Sequence, residues 1–321
     1  MFRNNEITVE AALRDLRSSN PAVREEAASA LGSVGPEDRE RAIVALRAAL
    51  RDDIGAVRYA AALSLGDLKD SGALSLLYDQ LEDGDPMARQ AAVIALGAIG
   101  DKAAFEPLVN AYRSGPADVR FQAITSLAEL DAPRAFNVLI EALADPDREV
   151  RCAAAGALGD HGDVRARDAL VPLLDDNHLS CRFEAAYALA RLGDARAIPR
   201  LMELTSDGDY RLLAWQGLTM LRAREARDLA LSVMRRFFKP EAERVHAAAL
   251  LAALGEESGR AFLAKRLGRR KLEIRHLVIY VLGDVGDEWA LSVLRGLRAK
   301  TTDEDMCACV DEAMGRALGQ K

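Results

Sequence analysis

Nine arginines mark time along this chain: Arg24, Arg58, Arg89, Arg120, Arg151, Arg182, Arg211, Arg244 and Arg275 follow one another at intervals of 34, 31, 31, 31, 31, 29, 33 and 31 residues, and Cys307 takes the tenth place 32 residues further on. Unrelated helices have no reason to keep a common spacing, so the chain is one structural unit written ten times. A unit of this length cannot bury an apolar face alone and must stack on its neighbours, which makes the fold a row of similar layers rather than a single collapsed core.

The clearest copy is residues 147–160, DREVRCAAAGALGD. Alanine recurs three residues after the anchor (Ala27, Ala61, Ala92, Ala123, Ala154, Ala185, Ala214, Ala247) and leucine seven after it (Leu31, Leu65, Leu96, Leu127, Leu158, Leu189, Leu218, Leu251, Leu282). Offsets of three, four and seven lie on one helical stripe, so each anchor sits on a helix whose buried face is small and regular. Gly32, Gly66, Gly97, Gly159 and Gly283, one residue after the leucine, keep bulk off that face, and Gly35, Gly100, Gly162, Gly193 and Gly286 suit a left-handed residue that closes the helix. Asn20-Pro21, Asp85-Pro86 and Asp145-Pro146 place a capping oxygen before a proline and predict the helix start. The stretches between, such as 164–174 and 195–204, supply a shorter first helix, with Pro107, Pro172 and Pro199 marking kinks or late starts. Few aromatics and abundant Ala, Leu and Arg fit many short helices and no sheet.

The pattern D-x-x-V-R-x-x-A-A-x-A-L-G-x-x-G-D in units of this length resembles the HEAT-like repeat named after the phycobilisome lyases, over residues 7–318. The resemblance implies an all-α solenoid of about ten helix pairs, 1–321 forming one superhelix with the second helices lining its concave side. The match is weakest in the seventh and eighth units and the last. Around Arg244 the sequence RVHAAALLAALG is displaced by about one helical turn, and Asp311 stands where the last unit should be apolar, as befits a cap.

The N-terminus has no basic segment followed by an apolar run, and no stretch approaches a membrane span, which fits a soluble, cytoplasmic protein. Four cysteines, Cys152, Cys181, Cys307 and Cys309, are few for the length and fit reduced thiols. Charge is uneven: residues 1–210 carry 35 acidic against 23 basic side chains, and residues 211–300 carry 10 against 18.

Positions that recur serve the stack, so information about function lies in those that vary. These fall one, five and nine residues after each anchor and share a stripe beside the packed one. It reads Tyr59, Leu63, Asp67; Gln90, Ile94, Ala98; Phe121, Thr125, Glu129; Cys152, Gly156, Asp160; Phe183, Tyr187, Arg191; Leu212, Gln216, Met220; His276, Tyr280, Asp284. Aromatic and aliphatic anchors inside a charged rim make a protein-binding surface, and a long shallow groove suits a helix or an extended peptide. The candidate contacts with another protein or peptide are Tyr59, Phe121, Phe183, Tyr187, Arg191, Leu212, Met220, His276 and Tyr280. The other reading of the stripe is ordinary core between neighbouring second helices. The anchor arginines themselves serve the stack, with Asp85, Asp118, Asp147 and Asp207 as the candidate partners from adjacent units.

No cofactor is expected. His161, His178, His246 and His276 belong to no ligand cluster, and the His-Glu pairs of HEAT-type di-iron hydroxylases are absent, since the residues that follow are Gly162, Leu179, Ala247 and Leu277. A metal site joining His246, His276 and Asp284 is the residual metal hypothesis. Glycine-rich phosphate loops and nucleophile elbows are likewise missing, so the expectation is a non-enzymatic scaffold or adaptor. The resemblance keeps a bilin-lyase-like or chaperone-like role as an alternative. The basic segment 265–275, with Lys265, Arg266, Arg269, Arg270 and Lys271, offers a second contact; the acidic first two-thirds weighs against nucleic acid and favours an acidic protein there.

Overall fold

The computed structural model describes residues 8–269 and 271–319, in which there are nineteen α-helices and no strand, the all-α solenoid class that the repeat demands. The chain divides into two compact units, Met1–Ala157 and Leu158–Lys321.

Unit 1 runs through α1 (Val9–Asp15), α2 (Pro21–Leu31), α3 (Arg39–Ala49), α4 (Gly55–Asp67), α5 (Leu74–Gln80), α6 (Pro86–Ile99), α7 (Phe105–Ser114) and α8 (Ala117–Ala142), with α9 (Arg148–His161) reaching past its end. Odd and even helices alternate as first and second members of a pair up to α8. That helix carries the second member of the fourth pair and the first of the fifth, joined across a kink where Asp131 leaves the helical region at φ −159° and Pro133 follows. The second helices α2, α4, α6 and α8 pack in series. The alanines at offset three and the leucines at offset seven are buried in every copy, as expected. Gly66 shows why bulk is excluded beside them: a Cβ there would lie 3.0 Å from the Cα of Ala95.

Local chemistry sets the starts. Asn20 accepts from the amide of Ala22, and Asp85 from those of Met87 and Ala88, each ahead of a proline in the first turn. The expectation for Asp145-Pro146 needs correcting. There α9 begins two residues later, Asp147 accepts from the amide of Glu149, and Asp145 is held by Arg120 instead. A further rule, not read from the sequence, is that the aspartate following the closing residue of a second helix opens the next first helix with a 3-10 turn: Asp70 caps Ser71–Ala73, and Asp101 caps Lys102–Ala104.

The anchor arginines are the vertical fasteners of unit 1. Arg24 grips Asp52 with two hydrogen bonds of 2.7 and 2.8 Å, Arg58 grips Asp83 at 2.7 and 2.6 Å, and Arg120 grips Asp145 at 2.9 and 2.7 Å. Each also donates to a carbonyl in the turn before its own helix, as Arg58 does to Asp52 and Arg89 to Asp83. Structural use is therefore as expected, but the expected aspartates are not the partners. Asp85 is occupied as a cap and Asp118 accepts from Gln90, whereas the gripped carboxylate lies six residues before the next anchor. There an Asx turn aims it: Asp83 also accepts from the amide of Asp85, and Asp145 from that of Asp147. Arg24 holds Asp52 below the ordinary carboxylate range; for Asp83 and Asp145 burial is the largest single influence and pushes upward, but the paired arginine together with the backbone amide of the Asx turn brings the net shift below that range.

Unit 2 contains α10 (Arg167–Leu170), α11 (Leu179–Arg191), α12 (Ile198–Leu204), α13 (Arg211–Met220), α14 (Arg227–Arg235), α15 (Glu241–Ala253), α16 (Glu257–Leu267), α17 (Leu272–Val285), α18 (Glu288–Arg298) and α19 (Glu304–Ala317). Pro172 ends α10 early and turns the rest of that first helix into a 3-10 stretch, Val171–Asp175, while Pro199 sits harmlessly in the first turn of α12. The second helices α11, α13, α15, α17 and α19 again pack in series. Helix α15 is the exception to amphipathic order: every residue from Val245 to Ala253 is buried. The displaced repeat at Arg244 thus sinks its second helix between α14 and α16 on one side and α13 and α17 on the other, and α13 and α17 meet each other beside it.

Candidate functional site

The direct meeting of α13 and α17 builds a feature that regular stacking would forbid. The Tyr187 hydroxyl on α11 donates to Oε1 of Gln216 on α13 at 2.9 Å, and Nε2 of Gln216 donates to the Tyr280 hydroxyl on α17 at 2.9 Å. Gln216 and Tyr280 are 64 residues apart, two repeats rather than one. At the far end Arg316 on α19 lies 3.8 Å over the Tyr280 ring, donates to the Tyr280 carbonyl at 2.8 Å, and stands 3.5 Å from Asp284. Four second helices are therefore tied by one polar and aromatic chain.

Its electrostatics follow from burial. The Asp284 side chain is 5% exposed, and one of its oxygens has no hydrogen-bond partner. Burial pushes its carboxyl up to about 6 despite Arg316 and the nearby Gln216 amide, which both favour the charged form. Burial likewise holds the Tyr187 phenol well above its ordinary value, aided by the nearby Tyr280 and Asp284, so Tyr187 acts as a fixed hydrogen-bond donor. Glu184, one turn before, is also raised by burial. The cluster is a stiff arrangement of dipoles around one uncompensated carboxyl oxygen.

The residues expected from the sequence divide among several environments. Tyr187 and Tyr280 enter this network, and Tyr280 keeps 39% of its surface in solvent. Arg191 pairs with Asp160 along the same stripe, and Met220 is exposed at the end of α13. Leu212 is half-buried on α13. His276 is half-buried and lines, with Tyr280, Cys309, Glu312 and Arg316, a cleft of about 280 Å³ between α17 and α19. Phe183 departs from its expected role as a contact: at 4% exposure it is support, stacked between Tyr187 at 5.6 Å and Tyr210 at 4.4 Å. In unit 1, Tyr59 is half-buried on α4, and Phe121 lines a pocket of about 320 Å³ with Ala117, Asp118, Asp147 and Glu149. A larger cleft of about 650 Å³ lies elsewhere in unit 1, on the first helices, where Leu13, Leu16, Val44 and Ala48 form its apolar wall.

The basic segment is less uniform than its sequence. Lys265 and Lys271 are exposed, but Arg266 is buried against the Phe262 ring at 3.5 Å and 3.3 Å from Glu241, so it braces the fold. Arg269 reaches the same Glu241 at 3.4 Å, and Arg270 lies outside the described residues. Gln216 and Arg316 were missed as site residues. Gln216 stood in the variable stripe without an aromatic signal, and Arg316 lies nine residues after the tenth anchor position, in a unit whose repeat pattern has faded.

Among the described residues no group of three histidine, cysteine or acidic side chains is placed to hold a metal. His246, the proposed partner of His276, is enclosed in α15, and burial lowers it to about 4. Cys152 and Cys181 are disulfide-bonded rather than free, which corrects the expectation of four reduced thiols; Cys307 and Cys309 carry no disulfide. No helix among the described residues is long and apolar enough to cross a membrane.

Comparison with known proteins agrees with this geometry. The family model described as HEAT repeats matches in overlapping copies at 45–128, 77–148, 105–180 and 136–222, and the PBS lyase HEAT-like repeat matches at 23–52. No curated protein sequence matches the chain. Among solved structures, YibA of Escherichia coli aligns at 18% identity and TM-score 0.53, covering 94% of this chain and 98% of that one. Importin beta aligns at 15% identity and TM-score 0.54 over 97% of this chain and 51% of its own. The complex of CpcE and CpcF of phycocyanin lyase from Nostoc sp. PCC7120 aligns at 24% identity, 79% and 97% coverage and a TM-score of 0.44, a likeness too loose to carry an argument. With the HEAT model spanning 45–222 of 321 residues and the helix pairs seen in both units, the chain belongs to the HEAT repeat family.

Proposed function

We propose that this repeat scaffold binds a helical or extended segment of a partner protein on the second-helix face of unit 2, with Tyr187 and Tyr280 as its anchors. The observation that carries the reading is the hydrogen-bonded chain Tyr187–Gln216–Tyr280, which fixes two tyrosine rings on one face before any partner arrives. Preorganised aromatic groups bind at low entropic cost, and tyrosine adds a polar edge to a large apolar body. Met220 and Arg191 extend the surface along the stripe, and the cleft beside His276 and Tyr280 gives a partner side chain somewhere to go. An aromatic centre with a charged rim is the composition of an energetic hot spot in protein interfaces.

The test is recovery of native partners from an extract of the source organism with the wild-type chain and with the combined Tyr280→Ala and Met220→Ala variant, both sites being solvent-exposed. A partner identified by mass spectrometry should bind at least tenfold more weakly to the variant, since hot-spot truncations cost about 1.4 kcal/mol or more. Undiminished recovery of every partner would remove this face from the proposal. Phe183 is a poor probe because its truncation would disturb the stack beneath Tyr187.

A further inference from the structure

The turn between α14 and α15 reads RRFFKP from Arg235 to Pro240, and it exposes what most turns conceal. Phe237 is 82% and Phe238 98% open to solvent, the two rings meeting edge to face with centroids 6.1 Å apart. Neither ring is needed by the core, since α14 is already buried through Ala230, Val233 and Met234. The neighbouring turn, between α16 and α17, lies beside it: Glu241, the first residue after the Phe turn, is approached by both Arg266 and Arg269. The second turn and the helix ends that flank it add exposed Lys265, near the end of α16, Lys271, and the exposed apolar Leu272 that opens α17. Arg235, Arg236, Lys265 and Lys271 make no ion pair among the described residues. The acidic groups at this edge are largely withdrawn: Glu243 is buried under Lys239 and Glu241 is held by the two arginines, leaving Glu273 as the exposed carboxylate of the second turn.

A pair of exposed aromatic rings flanked in sequence by exposed cations, beside a second turn that adds more of them, fits one kind of surface especially well. We propose that these paired turns form a peripheral docking edge for an anionic phospholipid bilayer, with Phe237 and Phe238 entering the headgroup region and Arg235, Arg236, Lys265 and Lys271 resting on lipid phosphates. Adjacent aromatic rings gain from the interfacial region, each cation near an anionic leaflet strengthens binding, and the two contributions together give anchoring that either alone leaves marginal. A nucleic acid would draw on the same cations, but it tracks a groove of charge with bases stacked on supported rings. Here the rings stand on a turn tip and the arginines best placed to extend the charge, Arg266 and Arg269, are engaged by Glu241. A protein partner with an acidic pocket is the remaining occupant that the test must separate.

The full-length chain should be sedimented with vesicles of phosphatidylcholine alone and with phosphatidylglycerol making up about a quarter of the lipid. The expected result is binding to the anionic vesicles only, reduced about tenfold by the double variant Phe237→Ser and Phe238→Ser and to a similar extent by Arg235→Glu with Arg236→Glu, helix content being unchanged by circular dichroism. All four side chains are exposed, so loss of fold is not an expected source of loss of binding. Absence of binding to anionic vesicles would overturn the proposal, as would binding that ignores the phenylalanines. Retention on duplex DNA or poly-glutamate that depends on the arginines, without the vesicle binding, would reassign the edge to nucleic acid or to an acidic protein and equally overturn it.

Discussion

Unit 1 and unit 2 use the same repeat to opposite ends. In unit 1 the anchors Arg24, Arg58 and Arg120 hold aspartates of the following layer, and the second helices keep their register. In unit 2 the layer at α15 is displaced, and the chain Tyr187–Gln216–Tyr280 and the pair Arg316–Asp284 form on the variable stripe. Regular repeats spend their polar side chains on stacking, whereas a displaced repeat frees neighbouring second helices to approach and to assemble something specific. The sharpest way to break the comparison is to remove a ladder carboxylate. Asp83→Ala strands Arg58, both side chains being largely buried, and should destabilise unit 1 by about 3 kcal/mol in urea unfolding, the cost of leaving a buried charge unpaired. Because Asp52, Asp83 and Asp145 titrate below their unfolded values, the ladder's contribution is complete above about pH 4 and fades as acid reaches their lower folded values.

The network in unit 2 should respond with the opposite sign. Asp284 titrates near 6 in the folded chain and near 4 when unfolded, so the native state binds its proton more tightly. Its stabilising effect is present below about pH 4 and is lost as pH rises through about 6, where ionisation confines a charge in a buried place. Asp284→Asn should therefore raise stability at pH 8 by on the order of 2 kcal/mol and flatten the pH dependence between 4 and 7. If Asp284→Asn instead destabilises the chain at pH 8, the pair with Arg316 dominates and the network is a structural salt bridge.

How much of this was legible beforehand depends on whether a residue obeys the repeat. The buried alanines and leucines, the close glycine contacts and the structural use of the arginines could all be read, because periodicity reports what every layer shares. The identity of the gripped aspartates was misread by two residues. Asp83 and Asp85 look alike in sequence, and only the Asx turn decides that one caps the helix while the other faces Arg58. The Gln216 bridge could not be read, since it joins two units that are not neighbours and exists because α15 sinks. The weak match at Arg244 was the one visible sign. Phe183 showed the limit of stripe reasoning: a position can belong to an exposed stripe while neighbouring rings cover it.

A smaller effect compares equivalent residues in the two units. After the second helix, Gly193 and Gly255 take left-handed φ values of 72° and 83°, while Lys69 and Arg222 occupy the same place at 48°. Lys69→Gly should relieve left-handed strain and stabilise unit 1 by about 0.5–1 kcal/mol, the lower figure allowing for the added freedom of the unfolded chain. Arg222→Gly should do the reverse in unit 2, because the Arg222 guanidinium donates to the carbonyls of Ala253 at 2.5 Å and Val285 at 3.2 Å, the ends of α15 and α17. Two identical substitutions with opposite signs would show that unit 2 has turned a strained position into a tie between layers. Thermal unfolding of both variants checks it, and equal signs would reject the distinction.

The smallest expected effect tests the ladder by completing it. The gripped carboxylate stands six residues before the next anchor, at Asp52, Asp83 and Asp145, but before Arg120 that place is taken by Ser114. Arg89, whose partner it would be, keeps its bond to the Asp83 carbonyl at 2.6 Å, yet its Nε is buried without a partner. Ser114→Asp supplies the missing acceptor. A charge-assisted pair should add about 1 kcal/mol, and an acidic residue at the C-terminal end of α7 should take back about 0.5 kcal/mol through the helix dipole. The net gain of about 0.5 kcal/mol is measurable only as a cycle: it should appear in the wild-type background and vanish when Arg89 is replaced by alanine. A gain that survives Arg89→Ala would mean that the aspartate stabilises its own turn, and that the spacing of six residues is a property of the turn alone rather than of the grip between layers.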